Sequence, residues 1–235
     1  MQKLNKELVY FECSFELMEK AEDKHFSYIL ASKALGSFDS QDSFVLELAH
    51  GYIETERSYF YMLEVRPKYS HLRNQYINLL KKLDCSRASN KNRFTCVVDK
   101  ASQTVKFGPH FNLGMLSEKL KGMGIGSYCF GRLVARLVED GFGHYGVDNI
   151  CLSSSDANTS EAHLRRNYFY ARRGFRFGNT SDEHEKNVET MKAGSCFAFN
   201  VQGLKQSYNP SKIAEITLGS YDLLSHFYRG TTKFT

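Results

Sequence analysis

The segment Lys121-Gly122-Met123-Gly124-Ile125-Gly126 sets a glycine at every second position directly ahead of an apolar helical pattern. Glycine reaches backbone conformations closed to other residues, and the first N–H groups of a helix have no intrahelical acceptor. Such a turn can therefore wrap an anion with the helix dipole behind it. Taken alone, the spacing fits equally well a tight turn that binds nothing. Two other phosphate-binding readings fit less well. A dinucleotide site requires its glycine fingerprint early in a strand-helix series with an acid about twenty positions on, and this loop follows a hairpin-rich segment. A nucleoside-triphosphate loop requires Gly-Lys-Ser/Thr at its end, and Gly126-Ser127-Tyr128 lacks the lysine.

A second run, Phe169-Tyr170-Ala171-Arg172-Arg173-Gly174-Phe175, follows one strand and one helix later. The two together resemble the GNAT superfamily of N-acetyltransferases, whose loop reads R/Q-x-x-G-x-G/A and whose next helix closes on Y-x-x-x-G-F. The resemblance covers about residues 94–201. It implies a mixed, mostly antiparallel sheet splayed between its fourth and fifth strands, with the pantetheine arm of acetyl-CoA or another acyl-CoA lying in the splay. The arm would pair with backbone around Leu116, Ser117 and Glu118. The pyrophosphate would rest on the N–H groups of Gly122, Met123, Gly124, Ile125, Gly126 and Ser127. Lys121, where the family has Arg or Gln, keeps the positive charge but loses the planar fork. Tyr170 falls on the family's general acid; a phenol of ordinary pKa about 10 is protonated at neutral pH and can protonate a departing thiolate. A plain core tyrosine is the alternative.

Two departures from the family stand out. Glu118 occupies a position where proline is frequent. The asparagine often found seven residues before the tyrosine is His163 here, with Asn158 and Asn167 on either side of it, so neither asparagine is assigned to the cofactor. Transfer to an amine also needs a proton acceptor. Asp99, His110, Glu118 and Asp156 are candidates by position at strand ends, each equally a solvated polar residue, and no base is named.

The elements that must hold these groups are partly legible. Phe94–Val98 and Thr104–Phe107 flank a five-residue polar stretch at hairpin spacing, and Phe111–Leu116 reads as a third strand running into the glycine loop. From Gly126 an apolar stripe of Cys129, Leu133, Val134, Leu137 and Val138 predicts a helix stopped by Gly141. A strand at Asn149–Ser153 and a helix at Ser160–Arg173 follow. Short strands at Phe175–Phe177 and Ser195–Val201 are then separated by a polar connector around Asp182–Lys186. Earlier, residues 4–35 carry helical periodicity, Phe44–Ile53 fits neither period, Tyr59–Val65 reads as a strand, and Tyr69–Leu83 as a helix. Near the end, Ile213–Tyr228 is another amphipathic helix candidate. The expected organisation is a helix-rich region, 1–90, packed on an acyltransferase core, 91–235, in an α/β (α+β) fold.

Composition narrows the function classes without choosing among them. With 235 residues, 42% hydrophobic, 24% charged and only 3 prolines, the chain can bury a core rather than stay disordered. Six widely spaced cysteines with no C-x-x-C pair point to reduced thiols, not disulfides or zinc, and no metal is expected. No apolar run approaches membrane-spanning length, so a cytoplasmic, membrane-free protein is expected. A net charge of +5 suits an anionic cofactor or RNA but demands neither. Arg165, Arg166, Arg172 and Arg173 beside Tyr168 and Phe169 could contact RNA, although a solvated helix face is the simpler account. The first expectation is thus an N-acyltransferase acting on a small amine, a protein amine or an aminoacyl-tRNA, with a homodimer compatible. The alternative is a catalytically inactive module that binds CoA or a protein partner.

Overall fold

Asp99 turns the chain back on itself. Its Oδ1 accepts hydrogen bonds from the backbone N–H groups of Ala101 and Ser102, at 2.8 and 3.1 Å, and Gln103 takes a left-handed φ of 52°. This local bonding by an aspartate is what allows so short a reversal. It joins two strands of the computed structural model, which describes residues 25–32, 43–70, 92–108, 116, 120–154, 159–206 and 208–216. In chain order the strands are β1 (His25–Ser32), β2 (Ser43–Glu54), β3 (Ser58–Ser70), β4 (Arg93–Asp99), β5 (Thr104–Phe107), β6 (Gly146–Leu152), β7 (Gly194–Ala198) and β8 (Ile213–Ile216). The helices are α1 (Ile125–Glu139), α2 (Ser160–Ala171) and α3 (Ser181–Thr190).

The strands form a single sheet in the order β7-β6-β5-β4-β3-β2-β1-β8. Every neighbouring pair is antiparallel except β5 with β6. The fold is thus a mixed α/β one with a mostly antiparallel sheet flanked by helices. Pro67 stands inside β3, where it has no N–H to give the ladder, and the β2–β3 register shifts between Val45 and Leu46, opposite it.

The expected helical region before residue 90 is corrected over its described part. Residues 25–32, read as helix, form β1, and Phe44–Ile53, left open between helix and strand, lies within β2. Strands from either side of residue 90 pair directly, from Ser58↔Asp99 to Glu64↔Arg93. The helix expected at Tyr69–Leu83 lies outside the described residues from 71 onward, Tyr69 and Ser70 being the end of β3. So do residues 4–24 and all of the Phe111–Leu116 strand but Leu116, which belongs to no regular element. The Ile213–Tyr228 helix candidate begins as strand β8, and the polar connector folds as α3.

Helix α1 covers one face of the sheet. Tyr128, Cys129, Phe130, Leu133, Val134 and Leu137 are all buried beneath it, and each such large apolar side chain contributes roughly 1.5–3 kcal/mol by leaving water. The helix stops where glycine permits it. Gly141, at φ 90°, donates to Val138 O while Phe142 N–H donates to Leu137 O, so the last carbonyls are satisfied. The end is pinned to the sheet by Tyr61, whose hydroxyl donates to Asp140 Oδ2 at 2.7 Å, with Arg136 Nε donating to the same oxygen at 2.8 Å. Among the described cysteines, Cys96, Cys129 and Cys196 are buried and free, and burial pushes all three thiols up. Cys151 is free and exposed. Among the described residues, no helix is long and apolar enough to cross a membrane.

Burial first, then the hydrogen bond to Asp140, pushes the Tyr61 phenol far above the ordinary tyrosine value, and burial raises Tyr52 to about 12. The folded chain therefore holds protons that the unfolded chain gives up from about pH 10. Stability from this source is complete below that pH and falls as pH rises beyond it. Denaturant titrations at a series of alkaline pH values should show this fall, and Tyr61→Phe should flatten it; a stability independent of pH from about 9 to 12 would contradict the assignment.

Candidate functional site

The glycine-rich loop is set by an alternation of buried and outward residues. Met123 and Ile125 have no exposed surface, while Gly122 is exposed and Gly124 and Gly126 are half-buried. Two apolar side chains thus anchor the turn in the core, and the glycines between them present bare backbone. Gly122 and Gly124 take φ of 83° and 78°, the left-handed region that a side chain disfavours. Gly122 has open space where a Cβ would stand, so its conformation alone requires glycine. Gly124 is the N-cap of α1, and no side chain caps the helix. Tyr128 N–H is the first to bond back, to Gly124 O at 3.0 Å. The N–H groups ahead of it have no acceptor within the helix. There is no acidic residue in the first turn to compete for them, so the end of α1 is electropositive.

Leu116 and the α2 residue Phe169 both lie against the loop. Leu116 Cδ1 and Phe169 Cε2 lie 3.7 and 3.6 Å from where a Cβ on Gly126 would be. Leu116, the loop and α2 therefore meet at one glycine. Lys121 and Ser127 are half-buried on either side. Tyr170 is on the last turn of α2, 7% exposed, its ring edge-on to Phe169 and Phe175 at 5.3 and 5.4 Å. Glu118, with Ser117, lies outside the described residues.

Other candidates prove to be occupied by the fold. Asp99 caps the β4–β5 reversal, at the opposite end of β5 from the glycine loop, so it is withdrawn as a base; His110 and Asp156 are outside the described residues. Asn167 is fully buried, its amide donating to Val188 O and Met191 O at 3.1 and 2.8 Å. His163 Nε2 meets Glu189 O at 3.0 Å. Arg166 donates to Ser153 O and Lys192 O, at 2.6 and 3.0 Å. These three α2 side chains supply donors to the carbonyls that end α3, which is their physical purpose. Arg173 is buried over the Phe169 ring at 3.7 Å and donates to Phe169 O at 2.6 Å; burial, then Arg172, lowers its pKa to about 10. Only Arg165 and Arg172 of the basic run remain as exposed arginines. Ser27 Oγ and His50 Nε2, 2.9 Å apart, pair a nucleophile with a base, but they sit on β1 and β2, at least four strands from β6. The pair acts as a cross-strand hydrogen bond. Among the described residues no group of three metal-ligating side chains occurs.

One segment escaped sequence reasoning altogether. Asn209-Pro210-Ser211-Lys212 forms a turn, with Lys212 N–H donating to Asn209 O at 3.1 Å and Ser211 N–H to Asn209 Oδ1 at 2.9 Å. Asparagine followed by proline is the usual signal for such a turn and was available in the sequence. The turn delivers Lys212 and Ile213 to within 3.7 Å of a Cβ on Gly124, and Lys212 Nζ donates to Gly122 O at 2.8 Å. A second lysine thus stands beside the loop.

No family model, curated protein or solved structure matches the chain.

A Cβ on Gly131, in the middle of α1, would collide with the backbone carbonyl of Gln206. Gly131→Ala should lower the melting temperature, because overpacking costs about 1–3 kcal/mol and outweighs the helix propensity gained. Gly143→Ala, whose Cβ would meet nothing nearer than 3.7 Å, is the control and should stay within about 0.5 kcal/mol of the wild type. Equal melting temperatures for the two variants would rule out the close approach.

Proposed function

We propose that the chain is an acyl-CoA-dependent N-acyltransferase of GNAT type, using acetyl-CoA by default and transferring the acyl group to an amine. The observation that carries this reading is the βαβ unit around the loop. β5 and β6 run parallel through Thr104↔Gly146 and Val105↔Val147 only. Past Val147, β6 continues to Leu152 without a β5 partner among the described residues. The N-terminus of α1 opens at that end of the parallel pair, where ligands of open α/β sheets bind.

In this reading the N–H groups of Gly124, Ile125, Gly126 and Ser127 receive the pyrophosphate, aided by the positive end of α1 and by Lys121. Ile125 contributes backbone alone, because its side chain, like that of Met123, fills the core. The pantetheine arm lies against β6 and Leu116. The amine nitrogen attacks the thioester carbonyl, the carbon–sulfur bond breaks, and the thiolate takes a proton from the Tyr170 hydroxyl. The amine loses its own proton to a base or to water. A small amine, a protein amine and an aminoacyl group on tRNA are all acceptable nucleophiles by this chemistry.

Calorimetry with acetyl-CoA, followed by measurement of thiol release across a panel of amines and aminoacyl-tRNA, tests the proposal. Binding with release supports it, and no binding overturns it. Binding without release for any acceptor would favour an inactive CoA-binding module. Tyr170→Phe should lower turnover on the order of 100-fold or more with CoA affinity nearly unchanged, whereas Gly124→Glu should abolish binding by placing bulk and like charge in the phosphate site.

A further inference from the structure

The segment that follows β7 runs back along α1 toward the glycine loop and touches it repeatedly. The carbonyl of Gln206 packs on Gly131. Tyr208 meets the Tyr128 ring edge-on at 4.9 Å, and the Tyr128 hydroxyl donates to Glu215 Oε1 at 2.8 Å. Lys212 Nζ donates to Gly122 O, and Ile213 lies against Gly124. The segment is anchored at both ends by buried apolar residues, Leu204 and Ile213. It then ends as β8, paired with β1 from Tyr28↔Ile216 to Ala31↔Ile213.

These contacts have an energetic consequence. β8 is four residues long and, among the described strands, pairs with β1 as the last in the sheet order, so its pairing is weak alone. The loop has no capping side chain of its own to hold it. Each lends the other the interactions it lacks: Lys212 bonds a loop carbonyl, and Tyr128, in the second turn of α1, bonds a carboxylate on β8. Two marginal elements tied in this way open together rather than separately.

We propose that residues 204–206 and 208–216 form a clamp on the glycine-rich loop, with Lys212 and Glu215 as positioning residues, so that the conformation of the loop and the docking of β8 on β1 are one equilibrium. The proposal deepens the reading of the loop as the CoA phosphate site, and rests on that reading for its consequence in binding. A ligand that stabilises the loop then also stabilises β8, and by reciprocity an event that frees β8 weakens the ligand.

Hydrogen exchange on the full chain without ligand tests the clamp directly. Lys212→Met, which alters a half-buried side chain, and Tyr128→Phe, which removes one hydroxyl, should each speed exchange roughly fivefold or more. The effect should appear both at residues 121–128 and at 28–31, with β6 and β7 at wild-type rates. Lys212→Arg should restore both segments. Faster exchange in one segment alone, a uniform increase across the sheet, or no change in either variant would overturn the proposal. The readout needs no CoA, so failure of the chain to bind CoA would count against the transferase reading and leave the clamp to be judged separately.

Discussion

The positive φ at Gly122 and Gly124 is the constraint on which the rest of the site depends. The chain must enter α1 while Met123 and Ile125 point into the core. An L side chain at either glycine would strain that path. Because the anchors face inward, the outward surface of the turn is backbone, and the first turn of α1 begins with N–H groups that no residue of the helix can satisfy. The site is therefore a by-product of packing as much as of electrostatics. Two buried apolar side chains hold open a surface whose polarity comes from the peptide groups.

The neighbouring elements follow from that choice. Gly126 has no side chain, so Leu116 and Phe169 can close on it, Phe169 from α2, where Tyr170 is the next residue. α2 is in turn fixed by its own polar side chains. Asn167, His163 and Arg166 satisfy the carbonyls that end α3, and Arg173 is stacked on Phe169. These groups serve the fold.

How much of this could be read from residues depended on periodicity. α1 and α2 were legible because each has a stripe or a stop signal, and the β4–β5 hairpin because its strands alternate about a polar turn. β2 was not, since residues 45–49 are buried on both faces and the two-residue alternation disappears. β1 lies between β2 and β8, and its Phe26, Ile29 and Leu30 match helical spacing as well as they match a strand with neighbours on both sides. α3 has a single buried residue, Val188, and so no stripe. Its start was nevertheless written in Thr180 and Glu183: the Thr180 hydroxyl accepts from Glu183 N–H at 3.1 Å while the Glu183 carboxylate turns back to Asn179 N–H at 2.8 Å. Lys212 could not have been found by motif spacing, because only the sheet topology brings residue 212 to residue 122.

The central claim is that the loop's backbone N–H groups hold the phosphates of an acyl-CoA. Amide chemical shifts of the isotope-labelled chain, followed as acetyl-CoA is added, report on those groups one by one. The account predicts saturable shifts that are largest at Gly124, Gly126 and Ser127. Shifts that never saturate, or that centre on the exposed arginines of α2 and leave the loop unmoved, would contradict it.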